Sequence, residues 1–190
     1  MPIPASYSAR EAGTGRARPR LETQAVKRVW LLRHAKSSWD EPELADHDRP
    51  LAPRGRKAAK RMARWASDNG VRPELVLCST ALRARATLDL VLDGLGEPEV
   101  AIERRLYHAW ADDLLERLRG VSAGVDGVLL VGHNPGLHEL ARLLSPPGPD
   151  GFPTGALAEL RLAIDAWPAV QPGCAELAWL VVPRSLPGKA

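Results

Sequence analysis

No run of apolar residues in this 190-residue chain is long enough to cross a bilayer, although 45% of its residues are hydrophobic. That combination argues against a membrane-spanning helix and fits one globular domain able to bury its own core. Residues 1–25, MPIPASYSAREAGTGRARPRLETQA, also lack the apolar stretch and cleavage signal of a secretory leader. A cytoplasmic location is therefore expected. Cysteine is scarce: Cys78 and Cys174 stand far apart and in no CxxC arrangement, which argues against both a disulfide framework and a thiolate metal site. Neither HExxH nor a cluster of aspartates is present, so no metal is expected.

The chain carries a formal charge of +3. Arg10, Arg16, Arg18 and Arg20 outweigh Glu11 and Glu22 near the start, which leaves a nearly neutral remainder. A polar, arginine-rich terminus with proline and glycine reads as a solvated, disordered extension over residues 1–25. The basic residues of that tail alone suggest nucleic acid, without a motif or concentrated face to support it, so no nucleic-acid partner is expected.

From Val26 the texture changes. VKRVWLLR predicts a strand ending at Arg33, and PRGRKAAKRMARWASDNG predicts a helix with Ala58, Met62, Trp65 and Ala66 on one face, closed by Gly70. ELVLCS is a second strand, followed by a helix over ALRARATLDLVLDGLG that stops at Gly94 or Gly96. EVAIER, ADDLLERLRG, DGVLLVGH and PGLHELARLLS continue the alternation, with Pro135 opening the last helix, and ALAELRLAID and CAELAWLVVP are two closing strands. Alternating strands and helices predict an α/β fold: a three-layer α/β/α sandwich with a mostly parallel central sheet. The last two strands lack a helix between them and predict an antiparallel edge. The domain is placed at residues 26–184, with 185–190 as a C-terminal tail.

Ligands of such sheets sit beyond the carboxyl ends of the strands. There the first strand delivers Arg33 and His34, the second leads through Ser79 and Thr80 to Arg83, and the fourth delivers His133. A lone histidine in such a place is usually an ordinary loop or core residue; recurrence at three equivalent positions points to a site. Two guanidinium forks suit phosphate oxygens, and a positive field disfavours protonation of His34. A neutral imidazole can attack phosphorus in line, with Arg33, Arg83 and His133 stabilising the equatorial oxygens and water later releasing phosphate.

Four segments carry a family resemblance. Arg33-His34-Ala35-Lys36-Ser37-Ser38-Trp39-Asp40 resembles the R-H-G-E-x-x-W-N opening of the histidine phosphatase superfamily, and Asp48-Arg49-Pro50-Leu51 with Gly55 resembles its D-x-P-L-x-x-x-G segment. Ser79 to Thr87 resembles its S-x-x-x-R-A-x-x-T helix start, and Gly132-His133-Asn134 its second-histidine motif. The RHAKSSW variant, the short length and Leu106-Tyr107 look most like the SixA-type phosphohistidine phosphatases, a compact branch of the phosphoglycerate mutase-like fold. The resemblance implies a phosphohistidine intermediate on His34, no metal and no organic cofactor, and a phosphorylated protein or a small phosphorylated molecule as substrate.

Several positions depart from that pattern. Ala35 replaces a glycine, which requires negative φ there. Asp40 stands where many members have a phosphate-contacting Asn, and a carboxylate beside phosphate is repulsive unless it is protonated, pairs with Lys36 or turns away. Leu106-Tyr107-His108 replaces the L-x-E of the mutase and sugar-phosphatase branches, so the proton donor is open between His108, Asp40 and neither. Ser37 and Asn134 are further candidates for phosphate contact, Asn134 because it opens a helix N-terminus. His47, His138 and Cys174 have no convergent partners and are assigned no chemistry, and Trp30, Trp39, Trp65 and Trp179 read as packing residues. A cysteine phosphatase built on Cys78 needs arginine at the sixth following position, which is Ala84. A phosphate-binding module without turnover would retain the fold, yet it would be expected to lose His34 first.

Overall fold

The computed structural model describes residues 27–186. Six strands, β1 (Lys27–Arg33), β2 (Leu75–Ser79), β3 (Glu99–Glu103), β4 (Gly127–Gly132), β5 (Leu157–Leu162) and β6 (Ala175–Val181), form one sheet in the order β3-β2-β4-β1-β5-β6. β1, β2, β3 and β4 run parallel to their neighbours among themselves, while β5 pairs antiparallel with β1 and with β6. The absence of a crossover helix between β5 and β6 accounts for their antiparallel pairing, while β5 also enters antiparallel to β1 after the last helix.

Four helices cover the two faces: α1 (Pro53–Asp68), α2 (Leu82–Val91), α3 (Ala111–Arg119) and α4 (Gly136–Leu144). The period-two alternation of β1 divides the core between them. Val29 and Leu31 pack into one cluster with Leu114 and Leu118 of α3 and Leu137 and Leu140 of α4. Trp30 and Leu32 face the other way, onto Met62 and Ala66 of α1 and Leu88 of α2. The central strands therefore read as continuous apolar runs because both faces are covered.

Two local expectations shift. The buried face of α1 runs through Gly55, Ala59, Met62 and Ala66, leaving Ala58 and Trp65 half-buried at its margins. Pro135 immediately precedes α4, whose first residue is Gly136. α2 ends at Val91 and a 3-10 turn carries the chain to Gly94, while Gly70 closes the turn after α1 with φ +68. A further 3-10 turn, Pro183–Ser185, packs against α1. Residues 1–25 and the last four of the expected C-terminal tail lie outside the described residues.

One glycine shapes the neighbourhood of the strand ends. A Cβ at Gly55 would collide with the Lys36 carbonyl oxygen, so only glycine lets the first turn of α1 lie against the segment leaving β1. The same segment is held by Ala52 N–H donating to Lys36 O at 2.9 Å and Ser38 N–H donating to Pro50 O at 2.8 Å.

Candidate active site

Because β1, β2 and β4 are parallel neighbours, their carboxyl ends open on one edge. Arg33 pairs with Gly132 in register, and His34 N–H donates to Gly132 O at 3.0 Å, which places His34 beside His133. The two imidazole centroids lie 5.0 Å apart. Arg83, one residue into α2, reaches between them: its Nε donates to His34 Nε2 at 3.3 Å and its Nη2 to His133 Nδ1 at 3.4 Å. The structure thus brings together the four residues expected from the strand ends.

The hydrogen bonds fix both tautomers. His34 Nδ1 lies 2.8 Å from the Ala35 carbonyl, which can only accept, so Nδ1 carries the proton and Nε2 keeps its lone pair. His133 Nδ1 accepts from Arg83, so its Nε2 donates to Ser79 Oγ at 2.8 Å. Burial lowers the His34 pKa to about 4, helped by the Arg83 and Arg33 charges and opposed by the Ala35 bond and Asp46. Burial, then His34 and Arg83, lower His133 to about 3. Both rings are neutral at ordinary pH, and a neutral imidazole with an unprotonated Nε2 becomes a nucleophile once Arg83 yields its hydrogen bond to an incoming phosphoryl oxygen.

Arg33 Nη1 donates to the Phe152 carbonyl at 2.8 Å, and Asn134 Nδ2 donates to the same oxygen at 3.0 Å. Arg33 Nε is buried without a partner among the described residues. Burial and the neighbouring Arg83 charge lower the Arg33 pKa. Ala35 N–H donates to Thr87 Oγ1 at 3.0 Å, and its backbone avoids positive φ.

Sequence reasoning missed a carboxylate at the centre of the loop between β1 and α1. Asp46 Oδ2 accepts from Arg83 Nη2 at 2.9 Å and Tyr107 Oη at 2.8 Å, its Oδ1 accepts from Arg49 Nη1 at 3.1 Å, and its carbonyl accepts from Arg83 Nη1. Burial pushes this carboxyl up, but the bonds from Tyr107, Arg83 and Arg49 outweigh it and hold the group well below the usual carboxylate range. Arg49 was also missed: its Nη2 donates to Ser37 Oγ at 3.0 Å, and its guanidinium carbon lies 3.1 Å from the Trp39 ring centroid. The local signals were the charged run Asp46-His47-Asp48-Arg49 and, for Arg49, its place at the variable position of the D-x-P-L segment, and neither says where the loop folds.

The two proton-donor candidates separate. His108 is 64% exposed, stacks on Tyr107 with centroids 3.9 Å apart, and places Nε2 3.4 Å from Asp46 Oδ2. Its ring centroid is 6.3 Å from that of His133. Asp40 turns away: it is exposed and accepts from Ser38 Oγ at 2.6 Å. His47 bonds Asp48 and Thr80, and His138 bonds the Pro149 carbonyl. Cys78 is buried, which pushes its thiol up to about 12. Among the described residues, no group of three or more His, Cys, Asp or Glu is arranged to hold a metal ion, and no helix is long and apolar enough to cross a membrane.

Residues 29–111 match the sequence profile of the Histidine phosphatase superfamily (branch 1). Phosphohistidine phosphatase SixA of Escherichia coli (strain K12) is 33% identical over 144 residues, 70% of this chain and 84% of the relative. The chain belongs to the histidine phosphatase superfamily. Members of this superfamily are phosphatases, and the SixA-like branch is the part of it that this chain resembles. The solved structure of the protein histidine phosphatase SixA complexed with tungstate superposes with a TM-score of 0.71 at 28% identity, covering 83% of this chain and 97% of that one. An uncharacterised Mycobacterium tuberculosis protein, Rv1276c, is 42% identical over 163 residues, 80% of this chain and 100% of the relative.

Proposed function

We propose that this histidine phosphatase carries the phosphoryl group covalently on His34 and that its substrate class is phosphohistidine on a protein. The observation that carries the reading is the His34 ring itself: Nδ1–H is locked on Ala35 O, and the Nε2 lone pair faces the Arg83 guanidinium. An incoming phosphoryl group enters between them. As the Nε2–P bond forms, the bond from phosphorus to the leaving group breaks, and Arg33, Arg83 and His133 take the charge on the equatorial oxygens. The unpartnered Arg33 Nε is a donor suited to one of those oxygens. Ser37, held by Arg49, and Asn134, held on Phe152 O beside Arg33, are further donors assigned to the phosphate in this reading. Water then attacks phosphorus, the P–Nε2 bond breaks, and His34 returns to the neutral state.

The leaving group supports the phosphohistidine reading. His108 stands where other branches have a glutamic acid, and an imidazole leaving from phosphorus needs less proton assistance than an alkoxide. We assign the proton-donor role to His108, a reading supported by its contact with Asp46 beside Arg83. A turnover panel with EDTA present tests the reading: phosphohistidine peptide, aryl phosphate, sugar phosphates and nucleotides at equal concentration. The highest kcat/KM is expected for the phosphohistidine peptide, with no loss on chelation. Preference for a sugar phosphate or a nucleotide would move the substrate to small molecules on the same pocket.

A further inference from the structure

Helix α1 is far more basic than the rest of the fold. It carries Arg54, Arg56, Lys57, Lys60, Arg61 and Arg64 against one acid, Asp68. Among the described residues none of these cations has a carboxylate within ion-pair distance; Arg61 instead donates to the Leu186 carbonyl. Like charges crowded on one helix repel, so the arrangement costs stability unless something anionic relieves it.

The same helix borders a cleft of about 420 Å³ on the side where the 3-10 turn Pro183–Ser185 packs. Lys36, Arg54, Arg61 and Arg184 line it together with the apolar Ala58 and Val182, and no acidic side chain among the described residues does. A second cleft, of about 470 Å³, shares Lys36 and Arg54 and continues past Ser37 to Trp39 and Asp40. The surface begins two residues beyond His34 and joins the site through Ser37, whose hydroxyl is bound to Arg49 and through it to Asp46 and Arg83.

We infer that this cleft binds an acidic segment of the protein substrate, next to the phosphorylated residue presented to His34. The inference rests on the phosphatase reading above and names what recognises the substrate. A lining of four cations among apolar side chains fits an extended polypeptide that buries aliphatic groups against Ala58 and Val182 and pairs Asp or Glu with the arginines. Among the described residues no aromatic side chain lines the first cleft to stack a base, and Trp39 of the second already stacks on Arg49, which favours polypeptide over single-stranded nucleic acid.

The test uses the full chain and the double variant Arg54→Glu/Arg184→Glu, both exposed positions without a hydrogen bond or ion pair to Arg33, His34, Arg83 or His133. Three substrates are compared: a phosphohistidine peptide flanked by Asp and Glu, the same peptide flanked by Ser and Gly, and an aryl phosphate. The variant is expected to raise KM for the acidic peptide about tenfold with little change in kcat, and to leave the other two within about twofold. An equal loss on all three, or none on the acidic peptide, overturns the inference. Fluorescence anisotropy with the unphosphorylated acidic peptide supplies a readout independent of turnover. Binding that weakens with salt and is lost in the variant supports the cleft even if no phosphopeptide is hydrolysed, an outcome that would sink the phosphohistidine reading alone. Equal binding of acidic and neutral peptides, or tighter binding of a single-stranded oligonucleotide in competition, would overturn it.

Discussion

The neutral state of His34 is set by burial before any charge acts on it, and this has a measurable consequence for folding. Its pKa is about 4 in the folded chain and about 6.5 for a free histidine. Between those values the unfolded chain holds a proton that the folded chain lacks, so stability falls as pH drops through that window and gains nothing from His34 above it. The expected slope is up to ~1.4 kcal/mol per pH unit from this residue. His133, lowered to about 3, adds a slope of the same sign. Denaturant melts between pH 7 and pH 4 should show the decline, and His34→Gln should make it shallower; a flat wild-type profile, or an unchanged slope in the variant, would contradict the burial argument. Arg33, His34, Arg83 and His133 were legible as a cluster because each closes a parallel strand or opens the helix after one. Asp46 and Arg49 were not, because their partners are fixed by the closure of a loop and not by any period in the chain.

Loops carry what the regular elements leave unsettled. The segment after β3 turns at His108, the one described non-glycine residue with positive φ, and that turn sets its ring on Tyr107 and beside Asp46. The cost of such a backbone is of order 1–3 kcal/mol, offset here by the stacking and the Asp46 contact. If His108 donates the proton, His108→Ala should slow cleavage of an alkyl phosphate by roughly 10²-fold and spare an activated aryl phosphate. Asp40→Asn should change neither, since Asp40 is bound to Ser38. Single-turnover quench separates phosphorylation from hydrolysis of the intermediate. Small and equal effects on both substrates would remove His108 from the mechanism. The strands and helices themselves were readable from periodicity, with errors where two small residues compete for one face, as Ala58 and Ala59 do in α1. Propensity cannot rank two alanines; packing against Lys36 through Gly55 does.

At the scale of the molecule, four parallel strands point their carboxyl ends the same way, and that common direction assembles a site from segments up to a hundred residues apart in the chain. The α/β alternation and the missing helix between β5 and β6 made the sandwich and its antiparallel edge readable in advance. The basic cleft beside α1 was not readable, because it needs the turn at Pro183–Ser185 to fold back onto the helix. The account as a whole depends on one bond, between phosphorus and His34 Nε2. Rapid alkaline quench of a single turnover with labelled aryl phosphate, followed by peptide mass spectrometry, tests it directly, since phosphohistidine survives alkali. The account predicts one phosphoryl group on the peptide containing His34, and neither label nor turnover in a folded His34→Ala variant; label on another residue, or turnover at the wild-type rate without His34, would contradict it.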